Sequence, residues 1–212
     1  MIEVVPAVLE KEFGEIEKKI KLIDGLTDWI QIDFADGKLV PNTTFSDSSA
    51  FKNLKTKSKL EAHLMVSDPV TFVKPLYNGG FRRFYAQVEA GKTEDYMAEC
   101  YKYDCEIGLA IDGPTDFEKI HPYLDNIDIV LVMAIEMGFS GRPYREDTGE
   151  RIARIREIDI NLPIAVDGAM NDVNARKAVA AGANIICSNS YIFSGNIKER
   201  IDILSHLDQS GV

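Results

Sequence analysis

Two aspartates and a histidine stand at the ends of short apolar runs that lie far apart in the chain. Asp33 closes Trp29-Ile30-Gln31-Ile32-Asp33, His63 sits in Glu61-Ala62-His63-Leu64, and Asp167 follows Ile164-Ala165-Val166. Carboxylates and an imidazole move protons near neutral pH, and the same groups ligate divalent cations. The chemistry to look for is therefore proton transfer, metal binding or both, provided that the fold brings the three together. Each residue alone has a plainer role. A strand-end aspartate commonly caps the next helix or stabilises a loop, and a histidine between Ala62 and Leu64 can be a hydrogen-bonded residue of a core.

The elements that must position these residues are legible in the hydrophobic pattern. Apolar runs rich in β-branched residues recur at Glu3–Ala7, Trp29–Phe34, Lys59–Met65, Arg83–Val88, Glu106–Ile111, Ile127–Ala134, Pro163–Val166 and Ile185–Cys187. Helical patterns lie between them at Glu10–Ile23, Pro69–Asn78, Thr93–Tyr103, Asp116–Tyr123, Thr148–Ile158, Asp172–Ala181 and Asn196–Leu207. The spacing of Phe13, Ile16, Ile20 and Ile23 suits one face of a helix docked on a sheet. Phe45–Leu54 is the weakest helical pattern. Glycines at Asn78-Gly79-Gly80 and Ala181-Gly182-Ala183 fall where helices should end.

Eight strands alternating with helices demand a parallel sheet covered on both faces. The length of 212 residues fits closure, and the chain has no GxGxxG after the first strand and no GxxxxGK[ST]. The prediction is an α/β fold, a single (β/α)8 TIM barrel over residues 1–212, in preference to an open doubly wound sheet. Such barrels collect their chemistry at the carboxyl ends of the strands. The polar residues repeat at that end: Gln31 with Asp33 on one face by the two-residue period, His63, Gln87 with Glu89, Asp167, and Ser188-Asn189-Ser190.

The formal charge of −10 repels polyanions and argues against a nucleic-acid partner. A small phosphorylated ligand is still compatible, because backbone amides bind phosphate locally. No window approaches 18 uninterrupted apolar residues, so no membrane span is expected. The amino terminus meets acidic residues at once and does not resemble a secretory leader. Cys100, Cys105 and Cys187 are odd in number and lack metal-type spacing, which suits reduced, buried thiols in a cytoplasmic protein. The acidic run Asp24 to Asp28 and the pair Arg82-Arg83 are expected as solvated surface.

The same residues carry a family resemblance. The segment from Trp29 to Asn42, with Asp36-Gly37 and Val40-Pro41-Asn42, resembles the signature of the ribulose-phosphate 3-epimerases, as do His63-Leu64-Met65-Val66 and the loop Glu136-Met137-Gly138-Phe139-Ser140-Gly141. Val166-Asp167-Gly168-Ala169 and Ser190-Tyr191-Ile192-Phe193 are similar to later family motifs, and the matches keep their order along nearly the whole chain. The resemblance implies reversible inversion at carbon 3 of a pentulose 5-phosphate, with Asp33 and Asp167 as the two acid/base groups on opposite faces of the sugar. It implies a divalent metal (zinc, manganese or iron) on Gln31, Asp33, His63 and Asp167. It puts Ala7 and His63 beside the substrate, and the phosphate near Gly138, Gly141, Gly168, Ala169, Asn189 and Ser190. Family members are commonly oligomers, so a homo-oligomer is implied as well.

The chain departs from the family pattern at chemical positions. Gln31 stands for a metal-binding histidine, and a neutral amide oxygen is a poorer zinc ligand than imidazole. Ala7 stands for a serine, Ala35 for a methionine, Gln87 for a histidine, Glu136-Met137 for Asn-Pro, and Ser140, Ala169 and Asn189 for glycines. Glu136 would disfavour an anion unless it points away or pairs with Arg142. Three outcomes stay open: a pentulose-phosphate epimerase, an epimerase of another ketose phosphate, or an inactive barrel that binds or scaffolds. Decarboxylases and aldolases of the phosphosugar type fit less well, because the strand-two stretch with Phe34 and Ala35 lacks their lysine.

Overall fold

A computed structural model describes residues 2–139 and 141–207. Its eight strands, β1 (Glu3–Val8), β2 (Trp29–Ala35), β3 (Lys59–Met65), β4 (Phe81–Gln87), β5 (Glu106–Ile111), β6 (Ile129–Met133), β7 (Ile164–Asp167) and β8 (Ile185–Ser188), pair in chain order into a closed barrel. Every pairing is parallel, and β8 closes on β1 with Val5 opposite Cys187. The helices are α1 (Phe13–Ile23), α2 (Val70–Asn78), α3 (Thr93–Cys100), α4 (Thr148–Ile158), α5 (Asp172–Ala181), α6 (Ser190–Phe193) and α7 (Ile197–Ser205). The fold is the predicted (β/α)8 barrel.

Alternation along each strand divides the core into two compartments. In β2, Ile30, Ile32 and Phe34 join the large cluster between sheet and helices, whereas Trp29 joins the inner cluster with Val5, Tyr85, Leu131 and Cys187. Gln31 and Asp33, on the inner face with Trp29, are therefore placed by the same two-residue period that packs their neighbours outward.

The local differences from expectation have physical causes. Residues 45–54 form a 3-10 segment, Ser48–Asn53, rather than an α-helix. Three serines and an aspartate compete for the backbone there, and the Asp47 side chain accepts from the Ser49 amide at 2.9 Å. Phe51 seals this face instead, with ring centroids 5.1 Å from Phe81, 5.3 Å from Phe13 and 5.9 Å from Phe34. The helix expected over Asp116–Tyr123 splits into 3-10 segments Phe117–Lys119 and His121–Asn126, with Pro122 at the start of the second. β4 ends at Gln87, and Glu89 belongs to a 3-10 turn, Val88–Ala90. It therefore does not share a strand face with Gln87 as expected. Gly80 and Gly182 take the left-handed conformation expected after α2 and α5, while Gly79 does not. Cys100 and Cys187 are buried and unpaired, but Cys105 is only partly buried.

The largest correction is Arg83. It was expected on the solvated surface, yet its side chain is 6% exposed and sits inside the amino-terminal end of the barrel. Its guanidinium donates to Glu61 (2.8 Å), Glu3 (3.0 Å) and Glu106 (2.6 Å), and lies 3.9 Å from the centre of the Trp29 ring. Strand pairing explains the placement: Glu61 pairs with Arg83, and Arg83 with Glu106, so the charges meet across adjacent strands.

Candidate active site

At the opposite end of the barrel β2, β3 and β7 bring Asp33, His63 and Asp167 together. One potential ligand atom from each lies within 4.8 Å of the others. Asp33 and His63 are opposite one another in the β2–β3 register, so their contact is fixed by strand pairing. The His63 Nδ1 atom is 3.0 Å from Asp33 Oδ1 and 3.8 Å from Asp167 Oδ2. Gln31 lies between the carboxylates: its Nε2 donates to Asp33 Oδ1 at 2.9 Å and to Asp167 Oδ2 at 2.8 Å. The two aspartates, 134 positions apart in the chain, are thus held on one amide nitrogen.

Burial shapes the electrostatics. Asp167 is pushed up to about 6, first by its withdrawal from water and then by the charge of Asp33. Burial also works against a charged His63. The hydrogen bond to Asp33 and the charges of both aspartates nonetheless raise it above the usual imidazole range. The net effect at both Asp167 and His63 favours the protonated form.

The donor set also suits a divalent cation. Two carboxylates and an imidazole make three ligands and leave an open position, as in hydrolytic and isomerising metal sites. The buried oxygen of Gln31, Oε1, has no hydrogen-bond partner among the described residues. A half-turn of the amide would exchange that orphaned oxygen with the nitrogen facing the carboxylates. A cation among them would favour the turned form.

A small cleft opens over this cluster. The three residues line it together with Gly138, Gly141, Gly168, Ala169, Asn189 and Ser190, so these predicted positions do converge. Ala7 does not line the cleft: it is sealed in the barrel wall opposite Gln31 in the strand register. The sequence reasoning missed the apolar lining, Leu9, Met65, Met133, Ile135, Phe139 and Met170. Met65 and Met133 are the last residues of β3 and β6, a placement that strand ends alone could have flagged.

Local backbone explains two parts of the cleft wall. Gly168 has φ of 105°, and a side-chain carbon there would lie 2.4 Å from Ile135, so no other residue fits without displacing the wall. Ala169 adopts a left-handed φ of 53°, unusual for a residue with a side chain. Its carbonyl accepts from Asn174 Nδ2 at 2.7 Å and from the Asn171 amide at 3.0 Å, which pins the strained turn at the start of α5. The loop after β6 is tied to the loop after β2, because Asn42 Nδ2 donates to the Gly138 carbonyl at 2.8 Å. Glu136 is paired with Arg142, and both are partly exposed. Its charge thereby has a partner. Ser140 lies outside the described residues. Asn189 accepts from Lys19 at 3.2 Å.

The fold resembles a solved 3-keto-L-gulonate-6-phosphate decarboxylase from Vibrio cholerae (TM-score 0.75, 9% identity, all of both chains covered) and a solved 3-hexulose-6-phosphate synthase (TM-score 0.74, 11% identity, 97% of this chain and 99% of that one). At such identities these likenesses speak for the barrel alone. Sequence relatives are more specific. The chain is 30% identical to ribulose-phosphate 3-epimerase of Rhodobacter capsulatus, over 92% of this chain and 87% of that protein, and 30% identical to that of Chlamydia trachomatis, over 95% and 91%. The enzyme of that name from Schizosaccharomyces pombe is 27% identical over 94% of this chain and 90% of its own. The sequence model described as the Ribulose-phosphate 3 epimerase family matches residues 3–193, a span that includes every residue of the buried cluster. With two carboxylates meeting at the carboxyl ends of β2 and β7 and this match over the barrel, the chain belongs to the ribulose-phosphate 3-epimerase family.

Proposed function

We propose that the protein is an isomerase that interconverts ribulose 5-phosphate and xylulose 5-phosphate by inverting carbon 3, with residues 1–212 acting as one catalytic domain. The observation that carries this is the meeting of Asp33 and Asp167 at Gln31 Nε2, within 2.9 Å of one atom. Inversion without a redox cofactor needs two acid/base groups, because a single base that returned its proton to the same face would regenerate substrate. Asp33 takes the carbon-3 proton in one direction, and Asp167, whose carboxyl burial pushes up to about 6, delivers one from the other face. The roles exchange in the reverse direction.

Removal of the proton leaves an enediolate, and its developing negative charge needs stabilisation in a water-poor site. A divalent cation on Asp33, His63 and Asp167, with Gln31 turned to offer its oxygen, would supply that electrostatic stabilisation when bound. Zinc, manganese and iron are the candidates by donor type. His63 holds Asp33 in place, and the methionines and Ile135 lining the cleft exclude water. The phosphate is assigned to the cleft wall formed by Gly138, Gly141, Gly168, Ala169, Asn189 and Ser190. The nearby Glu136 is no obstacle, since Arg142 neutralises it.

The deciding experiment is turnover of a panel of ketose phosphates with zinc, manganese or iron supplied, on wild type and on Asp33→Asn and Asp167→Asn. Each substitution is expected to lower kcat by about 10²–10⁴-fold, the range of a positioned acid or base, with circular dichroism unchanged. No turnover of any ketose phosphate by wild type with any of the metals would sink the proposal. Turnover confined to a hexulose phosphate would move the substrate to the alternative assignment.

A further inference from the structure

His63 offers one ring nitrogen to the aspartates, and the other is not idle. The Gln87 side chain, 1% exposed, reaches the Nε2 atom of His63 at 2.9 Å. With the Gln87 amide oriented to satisfy all its neighbours, its oxygen accepts from His63 Nε2. Its nitrogen donates to Glu89 Oε2 at 2.7 Å and to the Ala110 carbonyl at 3.2 Å. The reverse orientation sets the amide oxygen against two acceptors, so Glu89 and Ala110 together decide which way the amide faces. Glu89 is itself fixed, because its other oxygen accepts from the Asp112 amide at 2.9 Å. Asp112 in turn accepts from the amides of Gly113 and Met137, each at 2.9 Å, and Met137 adjoins Gly138 of the cleft.

We propose that Gln87 is a positioning residue that commits the Nε2 proton of His63 and so dedicates Nδ1 to the aspartate pair and to a cation held with them. The assignment rests on the proposed function only for its purpose. Its geometry is that of the hydrogen bonds above. A histidine ligand whose second nitrogen donates to a fixed acceptor is held in one tautomer and one ring orientation. The 3-10 turn that removes Glu89 from the strand face is what lets its carboxylate reach back to Gln87. Glu89 therefore sits behind the site rather than in the cleft wall.

The test reads the imidazole nitrogens of His63 by long-range ¹H–¹⁵N correlation in the metal-free protein, then repeats the spectrum with zinc. Wild type is expected to carry a proton on Nε2 in both spectra, with only the Nδ1 shift changed by zinc. Gln87→Met, which keeps the volume but removes the acceptor, is expected to shift the Nε2 resonance and to weaken zinc binding about 10–100-fold by calorimetry, with the thermal unfolding transition retained. A lone-pair shift at Nε2 of wild type would overturn the proposal, as would unchanged Nε2 shift and zinc affinity in Gln87→Met. Because the metal-free spectrum needs neither substrate nor cation, loss of the epimerase assignment and loss of this one are separate results.

Discussion

The two ends of the barrel each hold a buried cluster of charge on neighbouring strands, and they differ in one respect. At the amino-terminal end Glu61, Glu3 and Glu106 surround Arg83, a cation supplied by the chain and always present. At the carboxyl end Asp33 and Asp167 surround a weaker and variable partner, His63, together with a neutral Gln31. The first cluster carries its own cation, packed against the Trp29 ring. The second opens to a cleft and sets two carboxylates together with no permanent cation, which favours a proton or a divalent ion. Stability is built where the chain supplies its own cation; chemistry is left where it does not.

The comparison is broken most severely by removing the built-in cation. Arg83→Met leaves Glu61 buried without its partner; burial, helped by the charges of Glu3 and Glu106, already holds that carboxyl up to about 7 against the pull of the arginine. A loss of about 3–5 kcal/mol in unfolding free energy is expected, lowering Tm by roughly 10 °C. Adding Glu61→Leu should restore much of it. An undiminished Tm in the single variant would show that the network contributes nothing.

Asp167→Asn sharpens the comparison in the other direction. The folded protein holds the Asp167 proton more tightly than the unfolded chain, whose carboxyl titrates near 3.8. Above about pH 6 the native state therefore carries an ionisation cost, and below pH 3.8 it carries none. In metal-free protein the variant is expected to be more stable than wild type by roughly 1–3 kcal/mol at pH 7–8. The gain should shrink as pH falls through 6 toward 4. Denaturant unfolding across that range checks it, and a gain that grows toward acid would have the wrong sign.

The smallest change tests the neutral member of the open cluster. Gln31→His substitutes an imidazole for an amide between the same carboxylates and is expected to tighten zinc binding by at least about tenfold, on the order of 1.4 kcal/mol. Calorimetry on protein prepared without chelator gives the answer. Equal affinities would mean that the Gln31 oxygen already serves as a full ligand.

The alternation of strands and helices, the closure of the barrel and the strand-end positions of Asp33, His63 and Asp167 were legible in the chain itself. Hydrophobic period and strand length are local properties, and in a barrel they dictate which side chains face inward and at which end. What local pattern could not reveal was which partner each inward polar residue meets. Arg82 and Arg83 are adjacent and chemically identical, yet one is solvated and the other is locked among three glutamates contributed by β1, β3 and β5. Glu89 reads as strand continuation, but a 3-10 turn takes it behind the site to Gln87. Residues 45–54 read as a weak helix, and four phenylalanines from separate elements made one unnecessary. Burial, pairing of distant charges and the direction of a side-chain amide depend on contacts between strands far apart in the chain. Only closure of the barrel brings those contacts into being.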